Sequence, residues 1–237
     1  TVTIDTPDSG ERRFETHSSR VSDKREGEIG ALFMLFDVTE RESLQERLQE
    51  LASLDELTRV SNRRRFYEQA GIELDRANRH GRPIGFAMMD MNGFKEINDR
   101  FGHHAGDDAL RLTARLCSDA LRSCDVMGRI GGDEFAFIFP ECDEAGAAAA
   151  VEKMRKVICS ATFSSGASTI LLSAAFGSVG SAGPRHPDLE EFLSIADGRM
   201  YADKPRTKAA LARAKADMAT AKAAKNSAKA KTTRLGA

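Results

Sequence analysis

"GRIGGDEFAFIF", Gly128 to Phe139, sets two glycines and then two acids between an arginine and an apolar run. A glycine pair between extended stretches predicts a tight hairpin, because glycine accepts the positive φ that such turns need. Asp133 and Glu134 then stand at its tip. Two carboxylates held side by side repel each other, so their placement calls for a positive partner.

The residues on either side supply the scaffold. "PIGFAMMDM" is a short apolar strand with Asp90 at its end, broken by Asn92-Gly93. "NRRRFYEQAGIELDRANRHG" carries Phe66, Ala70, Leu74 and Ala77 on one helical face and stops at Gly81. "GDDALRLTARLCSDALRSCD" predicts a second helix with Leu110, Ala114, Cys117 and Leu121 aligned, and "DEAGAAAAVEKMRKVICS" a third. "STILLSAAFGSVG" reads as one strand and "DLEEFLSIADGRMYADK" as a fourth helix. Helices alternating with strands around a hairpin predict an α/β or α+β sandwich over residues 58–208.

Three further segments differ in texture. Residues 1–38 read as short strands joined by turns. Their ending, "GALFMLFDVTERESLQERLQEL", resembles the way PAS sensor domains pass into a signalling helix; a plain β-hairpin explains the pattern equally well. Residues 39–57 space Leu44, Leu48 and Leu51 in a 4–3 step that Leu54 or Leu57 can continue. This spacing fits a short coiled-coil seam or a helix packed on its own domain. Thr39 and Glu42 fit a capping box at its start. Residues 209–237 are Ala/Lys-rich, with seven Lys or Arg against one Asp, and predict a mobile, partly helical tail that cannot bury a core.

Composition narrows the function classes. The chain has 237 residues, 41% of them hydrophobic, and a formal net charge of −1. That balance gives no nucleic-acid or membrane signal, although the basic tail alone could bind either. No run reaches the ~18 apolar residues of a membrane helix. Cys117, Cys124, Cys142 and Cys159 have no metal-like spacing and read as reduced thiols of a cytoplasmic domain. The opening "TVTIDTPDSGERRF" has no initiator methionine and reads as part of a longer protein.

Asp90, Asp133 and Glu134 are the acids expected to converge. Gathered carboxylates suit Mg²⁺, a hard ion that shares its coordination with substrate phosphates. At an effective dielectric constant of 20, one pair of opposite charges 4 Å apart gains about 4 kcal/mol. Gly93 allows close backbone approach, and the N–H groups of Phe94 and Lys95 could open a short helix onto an anion. Asp107 can accept from the N1–H and N2–H₂ donors of guanine, and Asn98 can donate or accept. Adenine would leave Asp107 unpaired, at about 1–3 kcal/mol. Taken singly, each residue has a plainer reading as a turn or helix cap.

Together, "DELTRVSNRRRF", "DMNGFKEINDRFGHHAGDDAL", "RSCDVMGRIGGDEFAF" and "ADGRMYADK" resemble the GGDEF-domain diguanylate cyclases, in the family's order over residues 55–204. The resemblance implies an α+β, palm-like domain similar to nucleotidyl cyclases, with a mainly antiparallel central sheet flanked by helices. It implies that two GTP become cyclic di-GMP and two pyrophosphates across a homodimer, beneath an upstream sensor. Asp90, the Met91 carbonyl and Asp133 would ligate Mg²⁺, or Mn²⁺ in its place. Asn98 and Asp107 would read guanine, while Phe94, Lys95 and Lys204 would hold the triphosphate. Lys95 would also stabilise the transferring phosphoryl, and Glu134 or Asp133 would assist deprotonation of the 3′-hydroxyl. Arg122 and Asp125 would form an inhibitory product site. Against the family's usual pattern, Asn92 replaces a second Asp, Arg59 a Gly, Ser61 a Pro and Ala175 a Ser. The ending is "DKPRTK", so either Arg206 or Lys208 must supply the second phosphate-facing cation. The alternative is a catalytically weak domain acting as a cyclic di-GMP receptor.

Overall fold

The computed structural model describes residues 2–6, 10–23, 27–44, 53–166, 168–183 and 185–235. The chain divides into two compact units, Thr1–Ala52 and Ser53–Ala237. In the first, β1 (Val2–Thr6), β2 (Gly10–Asp23) and β3 (Gly27–Asp37) form an antiparallel sheet in that order. A helical turn follows at residues 39–44. Its cap differs from the expected box. Asp37 Oδ1 accepts from the Thr39 backbone N–H at 3.0 Å, and the Thr39 hydroxyl accepts from the Arg13 N–H.

The expected seam at Leu48 and Leu51 lies outside the described residues, but its continuation to residue 57 does not hold. Leu54 makes an antiparallel bridge to Ser61, and Leu57 packs on the core of the second unit. Asp55 closes this turn by accepting from the Thr58 N–H and hydroxyl at 2.8 and 2.6 Å. Within the turn Arg59 adopts φ +62°, the left-handed conformation that favours the glycine usual in the family.

The second unit is built on a sheet of order β5 (Val126–Arg129), β6 (Glu134–Pro140), β4 (Ile84–Met91) and β9 (Ala174–Ser181), antiparallel throughout. Its side chains alternate faces, as the two-residue strand period requires. Ile84, Phe86, Met88, Ala136 and Ile138 face α1 (Arg63–His80) and α5 (Leu189–Leu235), where they meet Phe66 and Phe192. Ala87, Met89, Phe135, Phe137 and Phe139 face the opposite layer, with Leu110 and Cys117 of α3 (His103–Ala120) and Met154 of α4 (Glu144–Ser160). The short α2 (Phe94–Phe101) links β4 to α3. This is the expected α+β sheet flanked by helices. Among the described residues no helix is long and apolar enough to cross a membrane.

Three local expectations change. The stretch expected as one strand breaks at Leu172-Ser173. Its first part, β8 (Ser168–Leu171), pairs instead with β7 (Thr162–Ser165). The fourth helix runs unbroken past residue 208, through the Ala/Lys-rich segment to Leu235. In the turn between β5 and β6, neither Gly131 nor Gly132 has the expected positive φ. A Cβ at Gly131 would stand 2.3 Å from Glu134 Oε2, the tip of a side chain that would have to turn aside. Arg129 braces this turn, donating to the Gly132 carbonyl at 2.6 and 3.1 Å and to Asp55 at 3.1 and 3.3 Å.

Two outcomes follow for stability. A Cβ at Gly177 of β9 would stand 2.0 Å from the Ala196 carbonyl and 2.2 Å from the Met200 nitrogen of α5. Backbone cannot yield as a side-chain tip can. Gly177→Ala should therefore lower stability in urea unfolding by about 1–3 kcal/mol or more; an unchanged midpoint would contradict this packing. Burial pushes the Asp55 carboxyl upward, but the Thr58 donors and Arg129 outweigh it and hold the pKa below its ordinary value. A lowered pKa adds stability above the unfolded value, near 4, and loses it as pH falls through the folded value. Asp55→Asn should cost about 1–3 kcal/mol at neutral pH, and its deficit should shrink on acidification. A deficit independent of pH would contradict the ion pair.

Candidate active site

The sheet register creates the acidic cluster. Asp90 is paired with Glu134 on one side and with Ala175 on the other. By the strand alternation Asp90 shares the face of Phe86 and Met88, toward α5. The Met91 backbone N–H donates to the Asp133 carbonyl at 3.2 Å, fastening the turn to the end of β4. From α5, Lys204 Nζ reaches Asp90 Oδ2 at 2.8 Å, with both side chains largely covered.

The electrostatics bind these four residues together. Burial and then the charge of Asp90 push the Asp133 carboxyl above its ordinary value, outweighing its own backbone hydrogen bond, Lys204 and Arg129. Burial works against the charged form of Lys204, yet its bond to Asp90 and the fields of Asp90, Glu134 and Asp133 hold its pKa above the ordinary value. Three carboxylates thus share one lysine from α5. Among the described residues no group of three His, Cys, Asp or Glu side chains is arranged as a metal cage. The carboxylates that interact most directly are those of Asp90 and Asp133. A divalent cation would suit Asp90 and Asp133 on charge, because it would offset both the burial and the Asp90 charge that raise Asp133.

Beyond β4 the chain turns at Gly93, φ +73°, and enters α2 with no side-chain cap. The first N–H groups of that helix therefore remain available to an anion. Phe94 packs on the core while Lys95 is exposed. α2 and α3 meet at Gly102, whose N–H donates to the Asn98 carbonyl at 2.9 Å. A Cβ at Gly106 would lie 1.9 Å from Asn98 Oδ1. The absence of that Cβ lets Asn98 lie against the turn of α3 that carries the half-buried Asp107.

Asn92 is only 4% exposed. Its Nδ2 donates to Ser173 Oγ at 3.0 Å and to Thr207 Oγ1 at 2.9 Å, and its backbone N–H donates to the Ser173 carbonyl. Arg206 and Lys208 both follow Lys204 on α5. Arg206 is bonded to Asp203 at 2.8 Å, and Asp203 is also held by Arg155. Lys208 stands four residues after Lys204, hence on the same helix face.

Arg122 and Asp125 lie elsewhere. Arg122 donates to Asp125 through its backbone N–H, Nε and Nη2, and to the Pro140 carbonyl. Pro140 ends β6 six residues after Glu134, which puts about 20 Å between this pair and the acids. Arg122 borders a cleft of about 320 Å³ that also includes Arg76, Arg82 and Glu141, whereas Asp125 is not part of its lining. Sequence reasoning missed the Asn92–Ser173–Thr207 cluster and the Arg129–Asp55 brace. Asn92 and Arg129 stood inside quoted motifs, but their partners are distant in the chain.

The family model described as "Diguanylate cyclase, GGDEF domain" matches residues 52–210. Diguanylate cyclase DosC of Escherichia coli K12 is 35% identical over 167 residues, which are 70% of this chain and 36% of that relative. The probable diguanylate cyclase DgcE of the same organism is 40% identical over 115 residues, 48% of this chain and 10% of that one. The chain thus spans well under half the length of either relative. Among solved structures, the diguanylate cyclase SiaD of Pseudomonas aeruginosa, in complex with its activator SiaC, superposes with a TM-score of 0.62 at 29% identity. That match covers 70% of this chain and 64% of the other. The coiled coil and GGDEF domain of DgcB from Caulobacter crescentus, in complex with c-di-GMP, gives 0.61 at 27% identity, over 70% and 89% of the two chains. The family match takes in the whole central sheet together with the acids at its end and the lysine above them, and the chain belongs to the GGDEF-domain family of diguanylate cyclases.

Proposed function

We infer that the chain condenses two GTP into cyclic di-GMP and two pyrophosphates, each protomer of a homodimer holding one nucleotide. The observation that carries this reading is the convergence of Asp90, Asp133, Glu134 and Lys204 beside the open N-terminus of α2. In each half-reaction the 3′-hydroxyl of one GTP forms a bond to the α-phosphorus of the other, the bond to the leaving pyrophosphate breaks, and the hydroxyl proton passes to a base. The second half-reaction closes the ring.

Asp90, Asp133 and the Met91 carbonyl are assigned to Mg²⁺, which when bound would neutralise phosphate charge and acidify the attacking hydroxyl. Lys204 exchanges its bond to Asp90 for the triphosphate, joined by Lys95 and by the first N–H groups of α2. Lys208 is assigned the second phosphate contact on α5, because it stands on the Lys204 face of the helix. Glu134, on the strand beside Asp90, is the residue assigned to take the 3′-hydroxyl proton. Asn98 and Asp107 are assigned to the guanine edge, and Arg122 and Asp125 to inhibitory cyclic di-GMP. For product to bind there the mutual Arg122–Asp125 bonds must open, since both groups are needed by the nucleotide.

Incubation with GTP and Mg²⁺ should yield cyclic di-GMP and pyrophosphate, identified by mass. Asp133→Ala should lower the rate by at least about 100-fold; product formation unaffected by this substitution would contradict the assignment. Removing residues 1–52 leaves the Asp55–Arg129 brace intact and should lower the rate per protomer at low protein concentration. An unchanged rate would count against dimer delivery by the first unit.

A further inference from the structure

Two halves of the proposed triphosphate cradle come from distant parts of the chain. Phe94 and Lys95 follow the turn after β4, while Lys204 and Lys208 stand on α5. Among the described residues three side-chain links join these elements. The Lys204–Asp90 ion pair is one that nucleotide binding must break. Lys215 with Glu96 is exposed, so it contributes little. The third, Asn92 Nδ2 to Thr207 Oγ1 at 2.9 Å, is buried and spans 115 positions of sequence.

The chemistry of this bond is directional. The single proton of the Thr207 hydroxyl is shared between the Asp203 and Lys204 carbonyls, each at 3.2 Å, so toward residue 92 it offers a lone pair. In this arrangement its partner is a donor, the Asn92 amide. An amide supplies two hydrogens, one for Thr207 and one for Ser173. A carboxylate supplies none, and it would add a buried charge two residues from Asp90. Asn92 Oδ1 has no hydrogen-bond partner among the described residues. The amide is therefore held by its two donor bonds alone. Asn92 in place of the family's usual Asp and Thr207 in the unusual "DKPRTK" ending make a matched pair.

We propose that Asn92 and Thr207 are positioning residues that latch the β4–α2 turn to α5 and hold the phosphate-binding lysines at their working separation. The inference rests on the reading of this cleft as a GTP site. It predicts that losing either partner loosens the cradle, and that losing the second adds nothing further.

The test is a double-mutant cycle on the full chain, reading the affinity for a non-hydrolysable GTP analogue with Mg²⁺ by calorimetry, alongside thermal unfolding. Asn92→Ala and Thr207→Val should each weaken binding by about 10-fold, and the double variant should be no weaker than the poorer single. Thr207→Ser should restore affinity, whereas Asn92→Asp should not. Losses that add, or unchanged affinity with only a lowered melting temperature, would overturn the latch. Cyclic di-GMP production by the wild type separates the two readings. A wild type that binds the analogue and shows the coupling without turnover removes the cyclase assignment and leaves the latch. An active wild type with additive losses removes the latch alone, and a wild type that binds no analogue removes both.

Discussion

Antiparallel pairing of β4 with β6 sets Asp90 opposite Glu134, with Asp133 one residue away, at one partly buried end of the sheet. Mutual repulsion makes that placement unfavourable unless positive charge stands over it. Much of the remaining structure serves to bring that charge. Gly177 lets α5 approach β9 backbone to backbone, and the helix then delivers Lys204 to Asp90. The lysine is a monovalent counter-charge to three acids, which leaves room in the charge balance for a divalent ion and for the phosphates that Lys204 would turn to meet. On this account the ion pair is the resting arrangement of a site built to exchange it.

The two proposed nucleotide sites fall at opposite ends of the sheet. One end of β6 carries Glu134, and the other carries Pro140, whose carbonyl accepts from Arg122. A nucleotide bound at Arg122 would act on catalysis through the strand or by holding two protomers apart, and not by touching the acids. The turn between β5 and β6 is itself fixed from outside the sheet, since Arg129 ties Gly132 to Asp55. Residues that look peripheral in the chain, at 53–62, are thereby part of the second unit. The boundary between the two units falls before them, at Ala52.

The legible parts of the sequence were those that depend on local pattern. Phe66, Ala70, Leu74 and Ala77 line one helix face, and all four are buried as that spacing required. Asp90, Asp133 and Glu134 were legible because strand ends and a hairpin tip are where acids can converge. What escaped was decided by contacts distant in sequence. Nothing local marks Leu172-Ser173 as a strand break; it occurs where the Ser173 carbonyl is claimed by Asn92. Leu54 and Leu57 kept the leucine spacing of a helix, but a bridge to Ser61 and the core of the second unit claim them instead. Gly131 and Gly132 suggested positive φ, which neither adopts. Asn92 read only as a departure from the family's usual Asp, because its partner, Thr207, lies 115 positions away.

The most direct measurement is an anomalous difference map from crystals soaked with Mn²⁺ and a non-hydrolysable GTP analogue. The account predicts one manganese peak within about 2.0–2.6 Å of carboxylate oxygens of both Asp90 and Asp133, with Lys204 turned from Asp90 to the phosphates. A peak away from that pair, or a bound nucleotide with Lys204 still on Asp90 and no metal between the carboxylates, would contradict it.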